Sequence, residues 1–207
     1  PVLAIHPVDK AAGRAIFKRY HADGAEPVVG ISVRNWQHET HFKDVMAEVS
    51  DRIVRELGAC VVFLPMQFPE DVHAAESIAE RTHEPCTVLK DEYTTSEFLS
   101  LVGNMDLMLA IRLHALIFAG VMGVPMIGVS YDPKIDRFLA SIGEKPVGSL
   151  DDVTADELMA EIRRKWNDKA VFRKRNAELL AKLRDLAARN AELALQLIGN
   201  QEKGTRR

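Results

Sequence analysis

The chain has 207 residues, 28% charged, 47% hydrophobic and 6% aromatic, with a formal net charge of -3. These figures exclude a disordered tail, a collagen-like repeat and a disulfide scaffold, and they give no global electrostatic case for binding nucleic acid. Charge divides unevenly: residues 1–150 carry 14 Lys+Arg against 20 Asp+Glu, and residues 151–207 carry 13 against 10.

A helix is predicted over 11–20 from the apolar positions Ala15, Ile16 and Phe17 set among Arg14, Lys18 and Arg19. The unbroken apolar run 27–33 then reads as a strand covered on both faces, as in a parallel sheet. After a polar loop, Phe42, Val45, Met46, Val49, Ile53, Val54 and Leu57 recur at helical spacing, with Gly58 where a C-cap glycine belongs. The unit repeats: strand 60–64, loop 65–69, helix 70–82, strand 86–89, helix 96–103, strand 107–111, helix 113–122, strand 124–129, helix 134–142. Strands alternating with helices through short loops predict right-handed crossovers and a doubly wound parallel sheet, an α/β Rossmann-like fold with its function at the carboxyl ends of the strands. We divide the chain into a Rossmann-like domain, 1–150, carrying the site, and a helical extension, 151–207.

In that extension, Thr154 and Glu157 are spaced as a capping box opening a helix to 166. A long helix follows, whose seam Phe172, Asn176, Leu179, Leu183, Leu186, Asn190, Leu193, Leu197 has heptad spacing. It either docks onto its own protein or a further domain, or pairs with a second copy to give a homo-oligomer. Cys60 and Cys86 lack metal-ligand spacing and read as small buried hydrophobes of a reducing compartment. Neither a metal nor a cofactor is implied. No run of 18 apolar residues and no signal peptide are present, so the expected location is cytoplasmic; the start at Pro1, without methionine, reads as a fragment or a processed piece.

Four loops leave the strand ends. Arg34 passes directly from an apolar strand into a loop, placed either to fork onto a phosphate or carboxylate or to pair with a nearby Asp. Gln67 is a neutral hydrogen-bonding group, and Asp71 reads as a helix N-cap before a catalyst. Arg112, Leu113 and His114 join a buried strand to an apolar helix. Burying an arginine there is costly unless an anion meets it, and the helix N-terminus adds a positive dipole. Ser130, Tyr131 and Asp132 end the last strand, and Lys134 brings a positive charge to the same rim; this loop contacts ligand or is a plain capping turn.

The segments Ile111-Arg-Leu-His-Ala-Leu-Ile-Phe-Ala-Gly120, Gly123-Val-Pro-Met-Ile-Gly-Val-Ser-Tyr-Asp-Pro-Lys134 and Gly30-Ile-Ser-Val-Arg-Asn-Trp36 together resemble the polysaccharide pyruvyl transferases, especially the CsaB-like bacterial cell-wall branch. The resemblance implies the second Rossmann-like domain of a GT-B arrangement, the usual glycine-rich first domain having no counterpart. It implies transfer of the enolpyruvyl-derived group of phosphoenolpyruvate to a sugar as a ketal. The matching positions imply Arg112, Leu113, His114 and Arg34 at the donor, with Arg112 and His114 catalytic, His114 as the candidate acid/base, and Arg34 and Leu113 substrate-binding; Lys134, Gln67, Tyr131 and Ser130, from the loops read above, are the further substrate-binding candidates. Replacing Arg112 or His114 by Ala is expected to abolish transfer with little loss of stability. The expected partners are phosphoenolpyruvate and a saccharide acceptor; whether the acceptor is lipid-linked and the protein touches the inner face of a membrane is left open. Two rivals stand beside this reading: a GT-B glycosyltransferase domain using a nucleotide sugar, with Glu144 as a weak candidate for the ribose, and a non-catalytic partner module built around the terminal helix.

Overall fold

Five short apolar strands pair side by side in a computed structural model that describes residues 5–20, 27–35 and 40–204. Strands β1 (Val28–Ser32), β2 (Cys60–Phe63), β3 (Cys86–Val88), β4 (Leu107–Ala110) and β5 (Met126–Gly128) form one sheet in the order β3-β2-β1-β4-β5. Every pairing is parallel, with Val29 opposite both Val61 and Leu107, and Ser32 opposite Ala110. Because β1 runs to β2 on one side and lies against β4 on the other, the winding reverses between β1 and β4. That is the position where an open α/β sheet leaves a crevice at its carboxyl edge.

The helices are α1 (Ala11–Arg19), α2 (Thr40–Leu57), α3 (Glu70–Ala79), α4 (Thr95–Gly103), α5 (Leu113–Val121), α6 (Pro133–Ser141), α7 (Ala155–Asn167) and α8 (Lys169–Gly204). One face of the sheet is covered by α1, α4, α5 and α6, whose Phe17, Leu99, Leu116 and Leu139 pack on Met108 and Met126. The other is covered by α2, α3 and α7, through Met46, Ile53, Ile78, Leu158 and Ile162 against Val29, Ile31 and Leu109. The helix α7 therefore completes the layer begun by α2. Gly58 closes α2 at φ +57°, the left-handed cap expected of it. Gly13 lets α1 and α4 approach closely: a Cβ there would lie 2.4 Å from the Ser100 carbonyl oxygen.

The ends of several elements differ from the sequence reading. Pro125 has no N–H to give the ladder and only accepts, from Met108 N, so β5 starts at Met126 rather than 124. The helix α4 starts at Thr95 because Thr94 and Glu97 form a capping box. Asp71 is not the N-cap of α3; Pro69 holds that position and Asp71 lies inside the first turn.

The long helix docks through its first third. Phe172 and Leu180 are buried, Leu180 against Gly120 of α5, and Leu183 packs at the edge of the same cluster. The contact stripe is thus Phe172, Asn176, Leu180, Leu183, following the 3.6-residue period of a straight helix rather than the heptad through Leu179. Leu186 and Leu193 are 58% and 50% exposed. Trp36 and the side chains of Asn190 and Leu197 lie outside the described residues.

Candidate functional site

The carboxyl ends of β1, β2, β4 and β5 bring Arg34, Gln67, Arg112, Leu113, His114, Ser130, Tyr131 and Lys134 to one edge of the sheet. Two long-range contacts tie these loops together.

The first spans the crevice. Arg34, two residues past β1, donates from Nη1 to the hydroxyl of Tyr131 at 3.0 Å, and its guanidinium carbon lies 5.4 Å from the centre of the Tyr131 ring. Tyr131 follows β5, so this pair bridges the end of β4. The cation stacks on the aromatic face while its remaining N–H groups keep a fixed plane.

The second is buried. Asp71 is fully inaccessible; its Oδ2 accepts from the backbone N–H groups of Met66 at 3.0 Å and Gln67 at 2.9 Å, and its Oδ1 accepts from Arg112 Nη2. The same Nη2 also donates to Gln67 Oε1 at 3.2 Å. Arg112 thus meets an internal anion. The sequence reading asked for an anion at this arginine and left it to a ligand, whereas the structure supplies Asp71, read beforehand chiefly as a cap. An Asp at the start of a helix carries the same local signature in either role, and only the β2–β1–β4 neighbourhood separates the two.

Arg112 is also the N-cap of α5, in extended conformation and making no capping hydrogen bond with its own side chain. Leu113 packs into the core beneath. His114, the second residue of α5, is exposed, with its ring 6.4 Å from that of Phe118. An exposed imidazole at the start of a helix is accessible to whatever lies above it. Lys134 is exposed in the first turn of α6, which Asp132 caps at 2.8 Å with Pro133 at its start. Ser130 spends its hydroxyl on Asp136 at 2.7 Å, beside a cavity of about 380 Å³ walled also by Asp132, Ser149 and Asp151.

Glu144 lies elsewhere. Its side chain is buried at the opposite edge, paired with Lys165 at 2.8 Å and with Arg175 of α8, and Lys165 also donates to the carbonyl of Met126 at the start of β5. Burial pushes the Lys165 ammonium down to about 8, against the pull of Glu161. Among the described residues no group of three or more His, Cys, Asp or Glu side chains could hold a metal ion, and no helix is long and apolar enough to cross a membrane.

The model of the polysaccharide pyruvyl transferase family matches residues 1–133, more than half of the chain. No curated protein matches the sequence. Solved structures resemble the fold at low identity. A putative UDP-N-acetylglucosamine 2-epimerase from Listeria monocytogenes superposes with TM-score 0.57 at 14% identity, covering 78% of this chain and 41% of its own. A UDP-GlcNAc 2-epimerase from Neisseria meningitidis bound to UDP-GlcNAc gives 0.56 at 12%, covering 79% and 42%. An α,α-trehalose-phosphate synthase (UDP-forming) from Burkholderia vietnamiensis gives 0.53 at 13%, covering 94% and 52%. The chain spans about half the length of these proteins or less, and at such identities the likeness establishes the Rossmann-like architecture alone.

Proposed function

We propose, because the chain belongs to the polysaccharide pyruvyl transferase family, that it carries the phosphoenolpyruvate half of a site which transfers a pyruvyl group to a saccharide as a ketal. The observation that carries this reading is the gathering of Arg34, Arg112 and His114 around the crevice between β1 and β4, with the start of α5 among them.

In ketal formation one sugar hydroxyl adds to C2 of the enol phosphate while C3 takes a proton. A second hydroxyl then displaces phosphate at C2 and loses its own proton. Each step needs a proton moved and an anion held. His114 is the acid/base, its exposure leaving it open to the acceptor hydroxyl and to C3. Arg34, fixed on Tyr131, and Arg112, fixed on Asp71, take the phosphate and carboxylate, and Lys134 follows the departing phosphate. Leu113 and Gln67 shape the pocket floor and wall, with Ser130 on the β5 side. The acceptor is a saccharide of a cell-wall or exopolysaccharide precursor, and the chemistry belongs in the cytoplasm, where the donor is made.

A nucleotide-sugar transferase is the second reading, favoured by the GT-B-like architecture. Its ribose candidate, Glu144, is committed to Lys165 and Arg175 at the wrong edge. Thermal unfolding with phosphoenolpyruvate or with uridine diphosphate separates the two. A rise in midpoint with phosphoenolpyruvate alone is expected; a rise with uridine diphosphate alone overturns the proposal.

A further inference from the structure

At the crossover between β1 and β4 two hydrogen-bond donors are shut off from water and have no acceptor among the described residues. One is the hydroxyl of Ser32, a residue with no exposed surface at the last position of β1; the other is Nε of Arg112. Buried polar atoms are nearly always paired, and an unpaired one is costly to keep. Two of them at one end of one strand pair call for a common explanation.

Their placement supplies one. Along β1 the side chains alternate: Val29, Ile31 and Val33 enter the α2/α3/α7 layer, whereas Val28 enters the α1/α4/α5 layer. Ser32 shares the parity of Val28, so its hydroxyl projects toward the layer that holds α5. It sits opposite Ala110, whose side chain belongs to that layer and which lies two residues before Arg112. Arg112 is the N-cap of that nine-residue helix, and its own side chain makes no capping hydrogen bond. A hydroxyl, a guanidinium Nε–H and a helix N-terminus, all donors, therefore lie together at the carboxyl end of the β1–β4 pair. Asp71 spends its Oδ1 on Arg112 Nη2 and its Oδ2 on both loop amides, which leaves the Nε–H of Arg112 without that carboxylate as acceptor.

We propose that Ser32 Oγ and Arg112 Nε, with the start of α5, form an oxyanion subsite that takes one oxygen of the phosphate or carboxylate of the donor. Phosphate and carboxylate oxygens share the chemistry, accepting two or three short N–H and O–H donors. The assignment rests on the proposed phosphoenolpyruvate reading for the identity of the ligand, and on the orphaned donors for its place. Ser32 is then a binding residue.

The test is Ser32→Ala, which removes the hydroxyl and little volume. Thermal unfolding of the wild type and variant is followed with phosphoenolpyruvate, inorganic phosphate or pyruvate added, the last two reporting the phosphate and carboxylate separately. The variant alone is expected to unfold at an equal or higher temperature, and its dissociation constant for phosphoenolpyruvate to rise about 10- to 100-fold, the scale of one hydrogen bond to a charged group. Whichever of phosphate and pyruvate stabilises the wild type is expected to lose its effect in step. An unchanged dissociation constant overturns the subsite, since an ordered water alone then satisfies Ser32. Failure of all three anions to stabilise the wild type overturns it as well. If phosphoenolpyruvate is inert but phosphate binds and needs Ser32, the subsite stands and the pyruvyl-transfer reading falls. Should Ser32→Ala not fold, Ser32→Cys carries the same comparison, because the thiol fills the space and is a much weaker donor.

Discussion

Asp71→Ala is the substitution whose cost the structure sets most directly. The change takes the carboxylate from three donors: the amides of Met66 and Gln67, and Arg112 Nη2, which keeps only the neutral Gln67 Oε1 at 3.2 Å and whose side chain is only 15% exposed. Removing one member of a buried ion pair costs about 3–5 kcal/mol, because the surviving charge is left without compensation. For a chain of this size 1 kcal/mol moves the unfolding midpoint by about 2–4 °C, so a fall of roughly 6–20 °C is expected by circular dichroism. Arg112→Met alone is costly for the reciprocal reason, in contrast to the sequence expectation of little loss at Arg112. The double variant removes both charges and should lose less than the sum of the singles by at least about 1 kcal/mol. A loss below about 1 kcal/mol for Asp71→Ala, or strict additivity in the double variant, refutes the buried pair as the tie between the β2 and β4 loops.

Further expectations follow from other parts of the fold. His114→Ala, at an exposed position, should change stability by less than about 0.5 kcal/mol yet abolish pyruvyl transfer in the intact enzyme; near-normal turnover removes His114 as acid/base. Lys165, with its folded value lowered to about 8 against the ordinary 10.5, binds fewer protons folded than unfolded between those values. Folding should therefore gain stability relative to Lys165→Met as pH rises from about 8 toward 10, and parallel stability curves for the two proteins contradict this. Phe172→Ala and Leu180→Ala should each cost about 2–5 kcal/mol, whereas Leu186→Ala, at an exposed position, should cost under about 0.5 kcal/mol; equal losses in urea unfolding would place the docked stripe of α8 wrongly.

The parallel sheet was readable because both of its faces are covered, which turns each strand into an unbroken apolar run and leaves periodicity to mark the helices between. What escaped was set by neighbours distant in sequence. Nothing local distinguishes Leu180 from Leu179; the choice is made by Gly120, whose missing side chain opens the groove that Leu180 enters. The Arg34, Arg112 and His114 positions were nominated by the abrupt passage from strand to polar loop, and the same logic overlooked Ser32 because a single serine ending β1 looks like ordinary strand punctuation. Its signal is its burial, which only the fold reveals.

The Arg34–Tyr131 and Arg112–Asp71 contacts join residues 97 and 41 positions apart. Each closes a long loop whose entropy must be offset before the contact gains anything, so neither pair can persist in a chain that has formed β1 and β2 but has not yet added β4 and β5. An anion recognised by both arginines has nothing to bind until all those strands are in register. Its affinity is therefore a property of the finished topology, and its presence shifts the folding equilibrium by mass action in favour of the native chain alone. Saturation with such an anion should slow unfolding while leaving the early steps of refolding untouched, making the ligand a chemical clock for the moment the sheet becomes complete.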